Sequence, residues 1–326
     1  MAGKPRVAFY WCASCGGCEE SVVDLAEGLL DVVEAVDIVF WPVAMDFKRQ
    51  DVEAMPDGSI LVSMINGAVR SSEQEEMVRL LRRKSRLVVA YGACAQLGGI
   101  PGLGNQFGRE QILRFAYQDC PSVQNPDRVQ PQPQSHEDGR VATLPGLHHV
   151  VRTLDHVVPV EYSLPGCPPT PRLLNQAITR LLSGDLPPKG SVLAPDIALC
   201  DQCPRKDSKP TDLRLDEFKR PHLTRLDPQK CFLAQGLVCM GPATRGGCEA
   251  ACVGGNMPCS GCFGPTSRVK DQGAKMLSSL CSNIAATTEA DIDRTLATIP
   301  DPVGTFYRYS LAGSLLRARV PENAKR

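Results

Sequence analysis

The chain has 326 residues, 43% of them hydrophobic, enough apolar side chain for two domains with cores of their own. Basic and acidic residues number 36 each, so the formal net charge is zero and gives no broad electrostatic attraction to nucleic acid or an anionic membrane. No apolar run approaches the roughly 20 residues that span a bilayer.

Met1-Ala2-Gly3-Lys4-Pro5 leads straight into a strand and has neither a signal-peptide apolar region nor a twin-arginine motif, so a cytoplasmic, reducing compartment is expected. The strand Val7–Trp11 runs into Trp11–Glu20, "WCASCGGCEE", three cysteines at steps of three. An amphipathic stretch over Glu19–Leu30 and strands over Ile38–Val43 and Ile60–Ile65 follow. Ser72 with Glu75 predicts a capping box for a helix over Glu73–Leu81. Arg82-Arg83-Lys84 then suits the solvated, dipole-favoured end of that helix. The strand Leu87–Tyr91 meets Gly92-Ala93-Cys94-Ala95. Asn125–Gly146 is a Pro/Gln-rich surface insertion of low regularity, and a further strand is expected near Val157–Tyr162. Pro165-Gly166-Cys167-Pro168-Pro169 precedes a helix with Thr170 at its N-cap, Pro171 at its first position and Gly184 past its end. Alternation of strand and helix predicts a mostly parallel, doubly wound α/β sheet.

Ser183–Pro195, "SGDLPPKGSVLAP", reads as a linker. Beyond it Cys200–Cys262 holds eight cysteines in 63 residues, with much Gly and Pro, and is expected to organise around metal clusters rather than an apolar core. Helical patterns over Val269–Leu280 and Glu289–Ala297 complete a tail. The expected division is residues 1–183, a linker at 184–195, an iron–sulfur domain at 196–268 and a helical tail at 269–326.

Fifteen cysteines in a reducing compartment point to metal ligation by thiolates, and an odd count cannot pair within one chain. The five histidines, at 136, 148, 149, 156 and 222, have no zinc-finger spacing, which favours iron–sulfur over mixed-ligand zinc. In an open α/β sheet ligands bind beyond the carboxyl ends of the strands. The turns bearing Cys15 and Cys18, Cys94, and Cys167 all fall there, and four thiolates from three turns would form one all-cysteine site. Cys12 is the close competitor within the first turn.

The motifs Cys15-Gly16-Gly17-Cys18, Gly92–Ile100 ("GACAQLGGI") and Gly166–Pro169 resemble the small, electron-transfer subunit of NiFe hydrogenases, over nearly the whole chain. The resemblance implies a flavodoxin-like domain followed by a small irregular iron–sulfur domain. It implies a proximal 4Fe–4S cluster on Cys15, Cys18, Cys94 and Cys167, with Cys12 supernumerary. A distal 4Fe–4S cluster would use Cys200, Cys203, Cys231 and Cys239. The medial site would use Cys248, Cys252, Cys259 and Cys262, where Cys252 fills the family's proline position and makes a 4Fe–4S cluster of a 3Fe–4S one. Cys12, Cys120 and Cys281 and the Asn125–Gly146 insertion depart from the pattern.

All-cysteine ligation of three 4Fe–4S clusters resembles the cytoplasmic, group 3 branch. "CFLAQGLVCMGPATRGGC" (Cys231–Cys248) and "GPTSRVKDQGAKML" (Gly264–Leu277) look closest to methyl-viologen-reducing, deazaflavin-non-reducing hydrogenases. The implied function is an oxidoreductase subunit that carries electrons from dihydrogen, split at a nickel–iron site on a large partner subunit. The implied outlet is a small iron–sulfur, delta-type subunit of a heterodisulfide reductase complex. Three rivals share features: a deazaflavin-reducing hydrogenase subunit, a complex I-like 20 kDa-type subunit, and a zinc-binding interaction module. A complex I-like subunit would show adjacent cysteines in the first turn and no eight-cysteine second domain.

Overall fold

The computed structural model describes residues 3–318; the first two residues and the last eight of the expected tail lie outside the described residues. It opens on β1 (Arg6–Trp11), with Val7, Ala8 and Phe9 buried. The stretch Glu19–Leu30 forms two helices, α1 (Gly17–Val23) and α2 (Gly28–Ala35), because Ala26 takes a φ of 51° and a left-handed residue interrupts the helical ladder. β2 (Asp37–Phe40) stops short of the expected Val43, since Pro42 has no N–H to continue a ladder. α3 (Arg49–Ala54), β3 (Ile60–Asn66), β4 (Val69–Ser71) and α4 (Ser72–Lys84) follow.

The cap of α4 sits one residue earlier than expected. Ser71 Oγ accepts from Gln74 N at 3.3 Å and Gln74 Oε1 accepts from Ser71 N at 3.1 Å. Glu75 is thereby released to bind Arg79 and Arg152. At the far end only Arg83 is exposed; Arg82 pairs with Glu161 at 2.6 Å and Lys84 with Asp57 at 2.9 Å.

Next come β5 (Ser85–Tyr91), α5 (Gly92–Leu97) and α6 (Arg109–Arg114). The Pro/Gln-rich insertion is more regular than its composition suggests: β6 (Gln134–Glu137) and β7 (Arg140–Thr143) pair antiparallel across Asp138-Gly139, a turn dipeptide with positive φ at both residues. β8 (Leu147–Arg152) pairs with β4. The strand expected near Val157–Tyr162 begins where that range ends, as β9 (Tyr162–Leu164); Leu154–His156 instead forms a tight turn. α7 (Pro171–Ser183) has the predicted ends, with Thr170 Oγ1 accepting from Leu173 N and Gly184 left-handed. Within the stretch read as a linker, β10 (Ser191–Val192) joins the sheet beside β9.

All strands of the six-stranded sheet are parallel, in the order β10-β9-β5-β3-β1-β2. Val22, Val32, Leu174 and Ile178 pack on one face, and Val52, Val78, Leu81 and Ala95 on the other. Both faces are therefore helix-covered, which is the doubly wound arrangement expected.

Beyond the sheet the chain forms α8 (Leu199–Gln202), α9 (Ala251–Gly254), α10 (Gln272–Cys281), α11 (Glu289–Leu296) and α12 (Pro302–Phe306). Contrary to expectation this cysteine-rich part does have an apolar core. Phe218, Phe232, Leu237 and Met240 pack with Met276, Leu280 and Phe306, so the tail helices supply what the Gly/Pro-rich segment lacks. Phe263 joins the core of the sheet domain instead, a burial that stabilises by roughly 2–3 kcal/mol and fastens the two parts together.

Candidate metal centres

Register brings the first centre together. Trp11, Asn66, Tyr91 and Leu164 are paired neighbours across β1, β3, β5 and β9, so the turns after β1, β5 and β9 leave the sheet at one level. Those turns carry Cys15 and Cys18, Cys94, and Cys167. The amide of Ala93 donates to Gly166 O at 2.6 Å and ties the second turn to the third. Two glycines are required by close approach: a Cβ on Gly92 (φ 84°) would land on the Cys18 sulfur, and one on Gly99 (φ 57°) on the Cys94 sulfur and backbone.

Burial pushes the Cys18 and Cys167 thiols up and Cys94 up to about 12, and the neighbouring thiolates of this same set add to the effect. Three thiols raised by burial and by their neighbours need a cation to become thiolates together, which is what an iron–sulfur core provides. The Ile100 backbone acts the other way and offsets part of the rise at Cys94. Cys12 stands apart: it is buried on the other face of the sheet, among Ala8, Phe40 and Ile65, and burial alone raises its thiol.

A second group forms around Cys200, which burial pushes up to about 12 with repulsion from Cys239, Cys203 and Cys231. Gly241 lies between two of them; a Cβ there would stand 3.2 Å from Cys200 Sγ and 3.6 Å from Cys239 Sγ. In the third group burial raises the Cys248 thiol, with Cys252 beside it, and pushes Cys262 up to about 12, with Cys248, Cys167 and Cys252 beside it; Cys259, also raised by burial, has Cys239 of the second group as its stronger neighbour and then Cys262. Glu249 and Ala250 both take positive φ, 57° and 53°, and the Ala251 amide donates to Cys248 O at 3.3 Å, closing a turn around that cysteine. Left-handed backbone at two consecutive non-glycine residues is costly and marks a site that the surroundings hold in place.

The groups also touch one another. The Cys259 amide donates to Cys239 Sγ at 3.4 Å, linking the third group to the second. Cys167 is an electrostatic neighbour of Cys262, its thiol raising and its backbone lowering the Cys262 pKa, which brings the third group up to the first. Electrostatic neighbours thus run from Cys15, Cys18, Cys94 and Cys167 to Cys262, Cys248 and Cys252, while Cys259 stands next to Cys239, beyond which lie Cys200, Cys203 and Cys231. Cys120 lies beside Ser122 and Cys281 is exposed at the end of α10; neither joins a set.

Glycine-rich turns and helix starts lead one to expect amides near the sulfurs, but no side-chain pattern announces which: the structure gives Cys259 N to Cys239 Sγ and Arg205 N to Cys203 Sγ, each at 3.4 Å. Sequence reasoning placed Glu19 at a helix start without foreseeing its burial. Trp41 Nε1 and Asn66 Nδ2 both donate to the Glu19 carboxylate, yet burial is the stronger influence and holds its pKa above the usual range.

Residues 15–181 match the family described as NADH ubiquinone oxidoreductase, 20 Kd subunit. The iron-sulfur subunit of the F420-non-reducing hydrogenase of Archaeoglobus profundus is 39% identical over 97% of this chain and 98% of its own length. The corresponding F420-non-reducing hydrogenase subunit of Methanothermobacter thermautotrophicus is 34% identical over the full length of both chains. Among solved structures, a [NiFeSe]-hydrogenase chain of Dm. baculatum shares the fold at a TM-score of 0.50 and 19% identity, over 81% of this chain and 95% of that one. Full-length identity of this order, together with the match over residues 15–181, places the chain in the family of F420-non-reducing hydrogenase iron-sulfur subunits, within the wider 20 Kd subunit family.

Proposed function

We propose that this chain is the electron-transfer subunit of a cytoplasmic, group 3 NiFe hydrogenase of the methyl-viologen-reducing type. Its oxidoreductase role with dihydrogen is exercised as part of a complex, in keeping with the activity in its relatives' names. Cys15, Cys18, Cys94 and Cys167 hold a proximal 4Fe–4S cluster. Cys248, Cys252, Cys259 and Cys262 hold a medial one, and Cys200, Cys203, Cys231 and Cys239 a distal one. Bound clusters supply one-electron storage at three successive positions. The protein supplies thiolates, close backbone and amide donors that set how readily each position is reduced. The domains follow as 1–183, joined by β10 from the connecting 184–195, and a cysteine-rich part 196–268 whose core the 269–326 tail completes.

The observation that carries this reading is the row of thiols itself: the turns of Cys15 and Cys18, Cys94, and Cys167 leave the sheet at one level, Cys167 is an electrostatic neighbour of Cys262, and the Cys259 amide donates to Cys239 Sγ at 3.4 Å. A single zinc ion binds thiolates at about 2.3 Å, so its four sulfurs stand about 3.8 Å apart. A cubane holds its four thiolates wider apart than that, and the purified protein is expected to be brown with broad visible absorption where a zinc module would be colourless.

The proximal end is open. Cys15 and Cys167 are exposed, Trp11 is 37% exposed against Gly16, and Ile100 beside Cys94 is also exposed. An apolar rim around exposed thiols suits coverage by the large, nickel-binding subunit. At the other end the distal set serves a small delta-type iron–sulfur subunit of a heterodisulfide reductase complex. No helix of the described residues is long and apolar enough to cross a membrane.

Anaerobic isolation should recover a nickel-containing partner and about twelve irons and twelve sulfides per chain, with dihydrogen-dependent viologen reduction in the complex. A stable iron-replete monomer with no nickel partner would refute the complex; about four irons, or zinc in place of iron, would refute the row.

A further inference from the structure

Arg205, two residues beyond Cys203, is 4% exposed and lies between the loops of two thiol sets. Its Nη1 donates to Asp227 O at 3.1 Å and to Lys230 O at 3.3 Å, on the segment that leads into Cys231. Its Nη2 donates to Val253 O at 3.2 Å, on the helix that carries Cys252, and to Asn256 Oδ1 at 2.8 Å just after it. The guanidinium lies 4.1 Å from the ring centroid of Phe232, the residue after Cys231. The backbone belongs to the same junction. Arg205 N donates to Cys203 Sγ at 3.4 Å, and Arg205 O accepts at 2.7 Å from Ser208 Oγ, which in turn accepts from Cys231 N at 2.7 Å. One residue thus ties together the Cys203 turn, the approach to Cys231 and the helix of Cys252.

A guanidinium keeps its positive charge and is costly to bury without an anion. The four acceptors of the Arg205 side chain are all neutral oxygens, and among the described residues no carboxylate pairs with it. Arg245, as deeply buried, does have such a partner, Asp196 at 2.8 Å. The groups beside Arg205 that become anionic when iron–sulfur clusters bind are the thiols of Cys203, Cys231 and Cys252. We propose that Arg205 is a positioning residue at the medial–distal junction: it fixes the Cys203, Cys231 and Cys252 loops against one another, and its charge favours the reduced, more negative state of the clusters they hold. This rests on the cluster assignment above. A buried cation beside a cluster raises its reduction potential. Electrons arriving at the proximal centre, whose turns make no hydrogen bond to Arg205, are therefore drawn toward the other two.

Three variants, each made in the complete hydrogenase complex, are followed by iron analysis and EPR-monitored redox titration. Arg205→Gln removes the charge, and Arg205→Lys keeps the charge while losing the fork of donors. Asn256→Asp sets a carboxylate against Arg205 Nη2 with little change of shape, since aspartate tolerates the left-handed backbone found there (φ 59°). Arg205→Gln should lower the medial and distal midpoints and leave the proximal one unchanged. Arg205→Lys should return both toward wild-type values. Asn256→Asp should keep full iron and also lower both. Wild-type midpoints in Arg205→Gln, the same shifts in Arg205→Lys as in Arg205→Gln, or equal shifts at all three centres would overturn the proposal. If Arg205→Gln loses iron, Asn256→Asp decides. A carboxylate on the medial loop that acted alone would lower the medial midpoint only, so loss of iron or an unmoved distal midpoint in that variant would overturn the proposal. A wild-type complex lacking three cubanes would instead overturn the cluster assignment, a failure the iron analysis reveals before any variant is compared.

Discussion

The proximal site depends on atoms that are absent as much as on atoms present. Gly92 has no Cβ where the Cys18 sulfur lies, so Gly92→Ala forces that sulfur or its loop to move. The expected outcome is loss of one centre only, with iron falling from about twelve to about eight per chain and the medial and distal EPR signals retained. The first turn offers a sharper comparison. Cys15 sits in the converging set, whereas Cys12 is buried on the opposite face of the sheet. Cys12→Ser should keep the proximal signal and Cys15→Ser should lose or convert it; the reverse pattern would exchange the two roles. At the middle set, Cys252→Pro removes one thiolate corner. It should give a 3Fe–4S signal in the oxidised protein at a raised potential, because less anionic ligand charge favours the reduced form. Three unchanged cubane spectra would show that another residue is the fourth ligand.

At the scale of elements, Glu75 fastens α4 to β8. Its carboxylate accepts from Arg79 on its own helix and from Arg152 on the strand, with His148 Nε2 at 3.1 Å, and those guanidinium hydrogen bonds hold its pKa down to about 2. A depressed carboxylate pKa contributes stability that is complete above the unfolded value near 4.5 and is lost as the pH falls through about 2. The side chain is 21% exposed, so the contribution is about 1 kcal/mol. Glu75→Gln should therefore lower the thermal midpoint by about 2 °C, by the same amount from roughly pH 6 to 8. An unchanged midpoint would mean that the pairs only offset their desolvation. The same residue shows how a sequence signal slips: Ser72 and Glu75 have capping-box spacing, but so do Ser71 and Gln74. The ladder between β4 and β8 draws Ser71 into extended backbone, and that tertiary contact selects the cap.

For the whole molecule, the tail is part of both other regions. Its helices complete the apolar core around Phe218, Phe232 and Met240, and the segment after α12 packs on the Cys94 turn. A chain ending at Pro300 should lose the proximal signal and bind less iron than the full chain. Cores of this kind lose roughly 3–5 kcal/mol for a deleted Phe alone, and Phe306 is fully buried. Retention of all iron and a wild-type melting curve by the shortened chain would show that the tail only covers the surface.

What the sequence determined by itself was local or combinatorial. β1, β3 and β5, both ends of α7 and the doubly wound alternation follow from apolar periodicity, from Thr170 and Gly184, and from strand–helix order. The turns after three strands nominated Cys15, Cys18, Cys94 and Cys167, and the resemblance to the hydrogenase small subunit, rather than spacing alone, nominated the other two sets of four. Sequence could not show that Trp11, Asn66, Tyr91 and Leu164 end in register, for pairing partners lie tens of residues apart and register is set by packing both faces of the sheet. Nor could it show which amides meet which sulfurs, that "SGDLPPKGSVLAP" contributes an edge strand, or that the tail fills the core of the cysteine-rich part. Those outcomes depend on where distant segments find room, and only the folded chain decides that.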